Sequence, residues 1–182
     1  MKLNFEFVIL IAVLVALFIE CKTTIIEKIE QYTSLINFRI QKQKIFKTLD
    51  SLFHKHNIDY SVTGRTLVGI LENNEFYNDN SYEAIVVKDD QIKNILYLSQ
   101  EFAKHGYSIQ DRLDGTFFVT TVFKPPHTSI HIIPLTLIND KWRSLARSGY
   151  SYNEWYYDSN LFPTRIQKLK SNMTVNLPHK SN

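Results

Sequence analysis

The residues best suited to chemistry lie between Ile58 and Asp90, in IDYSVTGRTLVGILENNEFYNDNSYEAIVVKDD. Asp79, Ser81 and Glu83 are spaced two apart, so an extended chain would turn all three toward one face. Glu83 is followed by Ala84, Ile85, Val86 and Val87, where burying a carboxylate without a partner is costly. A strand end or a site is the expected place for it. Upstream, Gly64, Arg65 and Thr66 follow a short alternating stretch. Gly64 and Gly69 either make tight turns or let the backbone approach a phosphate, and Arg65 is either an exposed or ion-paired arginine or a phosphate clamp. His131, between Ile130 and Ile132, is either a hydrogen-bonded core histidine or a ligand. Asp89 and Asp90 fit the favourable charges of a helix start. Trp142 and Trp155, with Tyr150, Tyr152, Tyr156 and Tyr157, form either a sugar-stacking platform or the packing of an irregular segment.

The elements that must position these residues follow from periodicity. Ile25, Ile29, Tyr32 and Ile36 fall on one helical face, and Ile45, Leu49, Leu52 and Phe53 mark a second stripe that ends near His56-Asn57. One bent helix or two would satisfy that pattern. Asp59 to Thr63 alternates as a strand up to Gly64, and Thr66 to Leu71 is a short apolar segment. Tyr82 to Val87 reads as a second strand, and Asp89 to His105 as a helix stopped by Gly106. Strands near 107–111, 116–123 and 129–135 complete an α+β domain with a mixed sheet backed by helices.

Composition narrows the classes. With 182 residues, 44% hydrophobic and 21% charged, the chain can bury a core and is too apolar for disorder. A net charge of +3 without a block of like charges argues against nucleic acid as a partner. The single cysteine, Cys21, excludes an intrachain disulfide and paired-cysteine metal sites. Phe7 to Ile19 is an uninterrupted run of 13 apolar residues, hydrophobic all round rather than on one stripe. No small-x-small cleavage site follows it, so an uncleaved signal-anchor is expected over 1–21. A helical stem over 22–43 and a globular domain over 44–182 follow. The body then faces a lumen or the exterior as a type II single-pass protein, or is secreted if the segment is cleaved. The sequon Asn172-Met173-Thr174 is consistent with that placement.

In detail, the segment around Gly64 resembles the LicD and fukutin family of glycan phosphotransferases, which have the nucleotidyltransferase fold. Tyr60, Thr63, Gly64, Thr66, Leu67 and Gly69 fit the family's Y-x-L-S-G-G-T-L-L-G-A-V-R motif. Asp79 and Glu83 fit its W-D-D-D-I-D run, and Lys104, Gly106 and Tyr107 fit the end of its long helix. Ile130-His131-Ile132-Ile133-Pro134-Leu135 is similar to its hydrophobic-Asp-hydrophobic-Phe-Pro-Leu strand. Leu161-Phe162-Pro163 through Val175-Asn176-Leu177-Pro178 is similar to its late L-F-P and V-P-x-P stretch. The resemblance covers roughly 44–178. It implies Asp79 and Glu83 as catalytic positions, Gly64, Arg65 and Thr66 as binding the donor's phosphates, and Glu83, Ser81 and His131 as metal positions for Mg²⁺ or Mn²⁺.

The departures fall on those same positions. Ser81 stands where the first metal-strand Asp is expected, His131 where the third carboxylate is, Arg65 where the second glycine of the turn is, and Glu72 where a basic residue is. Losing two negative charges weakens a cage built for a divalent cation by several kcal/mol. Glu83 with His131 would instead suit Mn²⁺ or Zn²⁺. Lost catalysis is the simpler expectation: a binding or assembly module for a glycan or protein partner, with no cofactor. The alternative is an active phosphotransferase that moves a phosphorylated alcohol from a CDP-linked donor to a lumenal or surface glycan, using Mg²⁺ or Mn²⁺. Family members also continue beyond the position of Pro178, so an incomplete site is a further expectation.

Overall fold

In a computed structural model, the described residues are 5–77, 83–112, 116–122, 128–144, 156–158, 161–162 and 164–178, with side chains from Val13 onward and none for 156–158. Two compact units divide between Asn37 and Phe38. One continuous helix, α1 (Phe5–Lys55), contributes to both. It contains no Gly or Pro, and Thr23, Thr24 and Thr33 return their hydroxyls to carbonyls four residues back.

Within the first unit, Val13, Leu14, Val15, Leu17, Phe18 and Ile19 are all exposed, so this stretch buries no single face. Among the described residues, no helix is long and apolar enough to cross a membrane. The first 12 residues of the expected anchor lie outside those with described side chains.

The second unit is the α+β domain. α1 stops because Asn57 takes a left-handed φ of 54°. Ile58 N–H then donates to Phe53 O at 2.9 Å and Asn57 N–H to His54 O at 3.3 Å, while Phe53 and Ile58 are both buried. His54 and Lys55 complement the helix's negative end. β1 (Tyr60–Val62) leads to α2 (Gly64–Asn73), and β2 (Glu83–Lys88) follows. The single helix expected over 89–105 is instead a 3₁₀ turn (Asp89–Gln91), α3 (Ile92–Tyr97) and α4 (Ser99–Lys104). The break falls at Leu98, whose N–H bonds Ile95 O in the tighter i→i−3 pattern. β3 (Tyr107–Asp111), β4 (Phe117–Thr121), β5 (Ser129–Ile138), β6 (Lys141–Ser144) and β7 (Tyr156–Asp158) extend the sheet, and β8 (Arg165–Lys168) with β9 (Thr174–Leu177) make a separate hairpin.

Among the described residues the main sheet runs β1-β2-β5-β4-β3, with β6 on the far half of β5 and β7 beside β6. β2 pairs β5 in parallel, and the other pairings are antiparallel. It is the mixed, helix-backed sheet that the alternation of elements predicts. One face carries Tyr60, Val62, Ile85, Val87, Phe117, Val119, Ile130 and Ile132 against Ile45, Phe46, Leu49 and Phe53 of α1 and against Ile95 and Phe102. The other face carries Val86, Ile133 and Leu135 beneath Leu161, Phe162 and Trp142.

Candidate functional site

Two of the predicted site residues, Glu83 and His131, are placed by the register of β2 on β5. Glu83 pairs with Ile130 and Ala84 with His131. Because side chains alternate across a strand, Glu83 shares its face with Ile130, while His131 shares the opposite face with Ala84. The imidazole and the carboxylate are therefore separated by the sheet and cannot bind one ion. Sequence spacing could not show this, since it depends on how the two strands register.

Glu83 points into the helix-backed core and is 1% exposed. Its Oε1 lies 2.8 Å from Nζ of Lys42, an α1 residue that is equally buried. Lys42 also donates to the carbonyl of Tyr77 at 3.4 Å. A second acid and base stand alongside. Arg39 Nη2 donates to Glu75 Oε2 at 3.1 Å, and Glu75 Oε1 accepts from Phe76 N–H at 3.1 Å and from Ser171 Oγ at 3.3 Å. Among the described residues of this cluster, two carboxylates face two cations, so their charges balance and they present no surplus negative charge to a divalent ion.

The turn at Gly64 is positioned by β2 in turn. Gly64 has φ 54°, where a side chain would be strained. Thr63 N–H donates to Ala84 O at 3.1 Å, and Thr66 Oγ1 accepts from Ala84 N–H at 2.8 Å. Thr66 thus commits its hydroxyl oxygen to the strand. Arg65 is exposed, with its guanidinium 4.7 Å from the centre of the Tyr77 ring, and Tyr77 donates to Glu72 at 2.7 Å. Arg65 is therefore a stacked surface arginine in this structure.

On the other face, His131 is 2% exposed and stacks on Phe118 at 4.6 Å, and Arg112 lies 5.0 Å from the centre of that same phenylalanine ring. His131 is thus a buried imidazole stacked on an aromatic ring in this structure. Asp89 accepts from Thr136 Oγ1 at 2.7 Å, a structural tie across the first turn after β2. Trp142 packs edge-on against Phe162 at 5.3 Å. Asp79, Ser81, Tyr150, Tyr152 and Trp155 lie outside the described residues, and the side chains of Tyr156 and Tyr157 are likewise not described.

Lys42, the partner of Glu83, belongs to no motif that would mark it as a site residue. Lys42 precedes Ile45, Leu49 and Leu52 at helical spacings of three, four and three, so it sits on the apolar stripe itself. A lysine on a core stripe demands a buried acid, and Glu83 is the acid that answers it. Among the described residues no group of three or more His, Cys, Asp or Glu side chains is placed to hold a metal. Of the expected set Glu83, Ser81 and His131, Glu83 contacts Lys42 and His131 lies on the opposite face of the sheet, while Ser81 lies outside the described residues.

No protein family and no curated protein matches the sequence. Among solved structures the chain is similar to the solution structure of the antibiotic-resistance factor ANT(2'')-Ia, with 9% identity and a TM-score of 0.47. The alignment covers 78% of this chain and 66% of that one. A likeness at that level assigns neither a residue nor an activity to the protein.

Proposed function

We propose that this is a LicD/fukutin-like protein of nucleotidyltransferase type, held at a membrane by its N-terminal segment with its body lumenal or extracellular. It works as a binding or assembly module for a glycan or protein partner, not as a working phosphotransferase. The observation that carries this reading is the buried contact of Lys42 with Glu83 at 2.8 Å, which puts a fixed ammonium against a carboxylate that the resemblance would give to a divalent cation. The Mg²⁺ or Mn²⁺ implied by the family does not fit the residues described, and no catalytic step is drawn through it. The membrane part rests on the apolar run Phe7 to Ile19 and on the exposure, on all sides, of Val13 to Ile19.

Titrating the full chain in detergent with Mn²⁺, Mg²⁺ and CDP, followed by calorimetry and thermal unfolding, tests the reading. The expected result is no stoichiometric metal uptake and no Mn²⁺-dependent CDP binding. Stoichiometric Mn²⁺ with CDP-dependent stabilisation would restore the phosphotransferase reading.

A further inference from the structure

The only sequon in the chain, Asn172-Met173-Thr174, lies at the tip of the β8–β9 hairpin. Asn172 and Thr174 are exposed, while Met173 between them packs against the main core. The tip is anchored from behind. Leu169 N–H donates to Met173 O at 2.8 Å, Asn172 N–H to Leu169 O at 3.0 Å, and Lys170 N–H to Asn74 O at 3.1 Å. The fold therefore holds both groups that a glycan-transfer enzyme reads, the amide and the hydroxyl two residues on, out in solvent.

We infer that Asn172 is an N-glycosylation site. The inference rests on the lumenal or extracellular placement of the body proposed above. The donor is a lipid-linked oligosaccharide diphosphate. The Asn172 amide nitrogen forms a bond to the sugar's anomeric carbon as that carbon's bond to phosphate oxygen breaks. The amide gives up one proton, the lipid diphosphate leaves, and nothing is oxidised or reduced.

A competing reason for asparagine at this position is its left-handed backbone, φ 62°, which asparagine tolerates better than most residues. The test must separate that role from glycan acceptance. The full chain is translated with microsomal membranes, digested with protease from outside, and treated with endoglycosidase. The expected result is a protease-protected body bearing one endoglycosidase-sensitive glycan. Thr174→Ala, which leaves the turn residue in place, loses the glycan. Asn172→Gly, which keeps the left-handed turn, loses it as well. Thr174→Ser retains it. A protected body without a sensitive glycan overturns the inference alone, whereas a body open to protease overturns both the inference and the membrane placement. A glycan that survives Thr174→Ala also overturns it.

Discussion

On the helix-backed face of the sheet, Glu83 is buried against Lys42. One strand away and on the other face, His131 is buried to the same degree against the ring of Phe118. The first environment holds a formal charge pair in a core of Ile85, Ile130 and Phe46; the second holds an aromatic stack beside the Val86, Ile133 and Leu135 cluster. Adjacent positions in two paired strands are thus given opposite electrostatic tasks by a side-chain period of two. Residue type alone would pair the carboxylate and the imidazole, and the register keeps them apart.

The comparison breaks most decisively at Lys42. Lys42→Met removes the ammonium and strands the Glu83 carboxylate in a buried site, and a single-sided deletion of this kind costs about 3–5 kcal/mol. Urea unfolding of the full chain in detergent should show that loss. The double variant Lys42→Met/Glu83→Leu should recover most of it, because an apolar pair of similar volume replaces both charges. A Lys42→Met protein as stable as its parent, with no gain from the second change, would mean that Glu83 is solvated and open to other ligands.

That contrast also separates what was legible in the sequence from what was not. The stripe Ile45, Leu49, Leu52 and Phe53, the strand at Tyr60–Val62 and the stop at Gly106 are local patterns, and the structure follows them. The break at Leu98 and the β8–β9 hairpin had no such signal: leucine is an ordinary helix former with no Gly or Pro beside it, and β8 opens with Arg165 and ends at Lys168, with one exposed Ile166 as its sole large apolar side chain. The site was legible only as residue types. Whether Glu83 meets His131 or Lys42 depends on β2–β5 register and on the docking of a helix some forty residues upstream, and neither is written in local spacing.

A second way to sharpen the comparison lies where α2 meets the chain entering β2. A Cβ built on Gly69 would come within 2.9 Å of Tyr77 Cδ2 and 3.3 Å of the Glu75 carbonyl. Those neighbours carry the charge cluster's backbone, so overpacking here should disturb the Lys42–Glu83 side and leave the His131 side unaltered. Gly69→Ala gains helix propensity of about 1 kcal/mol yet should lose about 1–3 kcal/mol net through the clash. Adding Tyr77→Ala should relieve only part of that loss, since the Glu75 carbonyl is backbone and cannot step aside. Hydrogen exchange would locate the effect; amides of β4 around Phe118 should exchange as in the parent. Equal loosening on both faces would argue that the sheet is one cooperative unit and not two separate environments.

The smallest effect is expected at Tyr60, which lies on the charged face but away from the ion pair. Burial pushes its hydroxyl well above the usual value of 10.0, the nearby Asp50 charge adds to this, and Tyr60 Oη donates to Asp50 Oδ1 at 2.6 Å. Its ring meets Phe46 and Phe53 edge-on at 5.9 Å each, so Tyr60→Phe keeps the packing and loses the hydroxyl's bonds to Asp50 and to the backbone of Asn176. Asp50 retains some solvent and lies 3.4 Å from His54, so the loss should be about 1 kcal/mol. The pH dependence gives the sharper signature. With the folded-state pKa raised, the unfolded chain releases this proton first, so the contribution is complete below pH 10 and is lost as pH rises from there through the folded value. Tyr60→Phe should therefore lose less stability than the parent between neutral pH and the alkaline limit. If both proteins weaken in parallel, the phenol is already ionising freely and the face holding Glu83 is wetter than its packing implies.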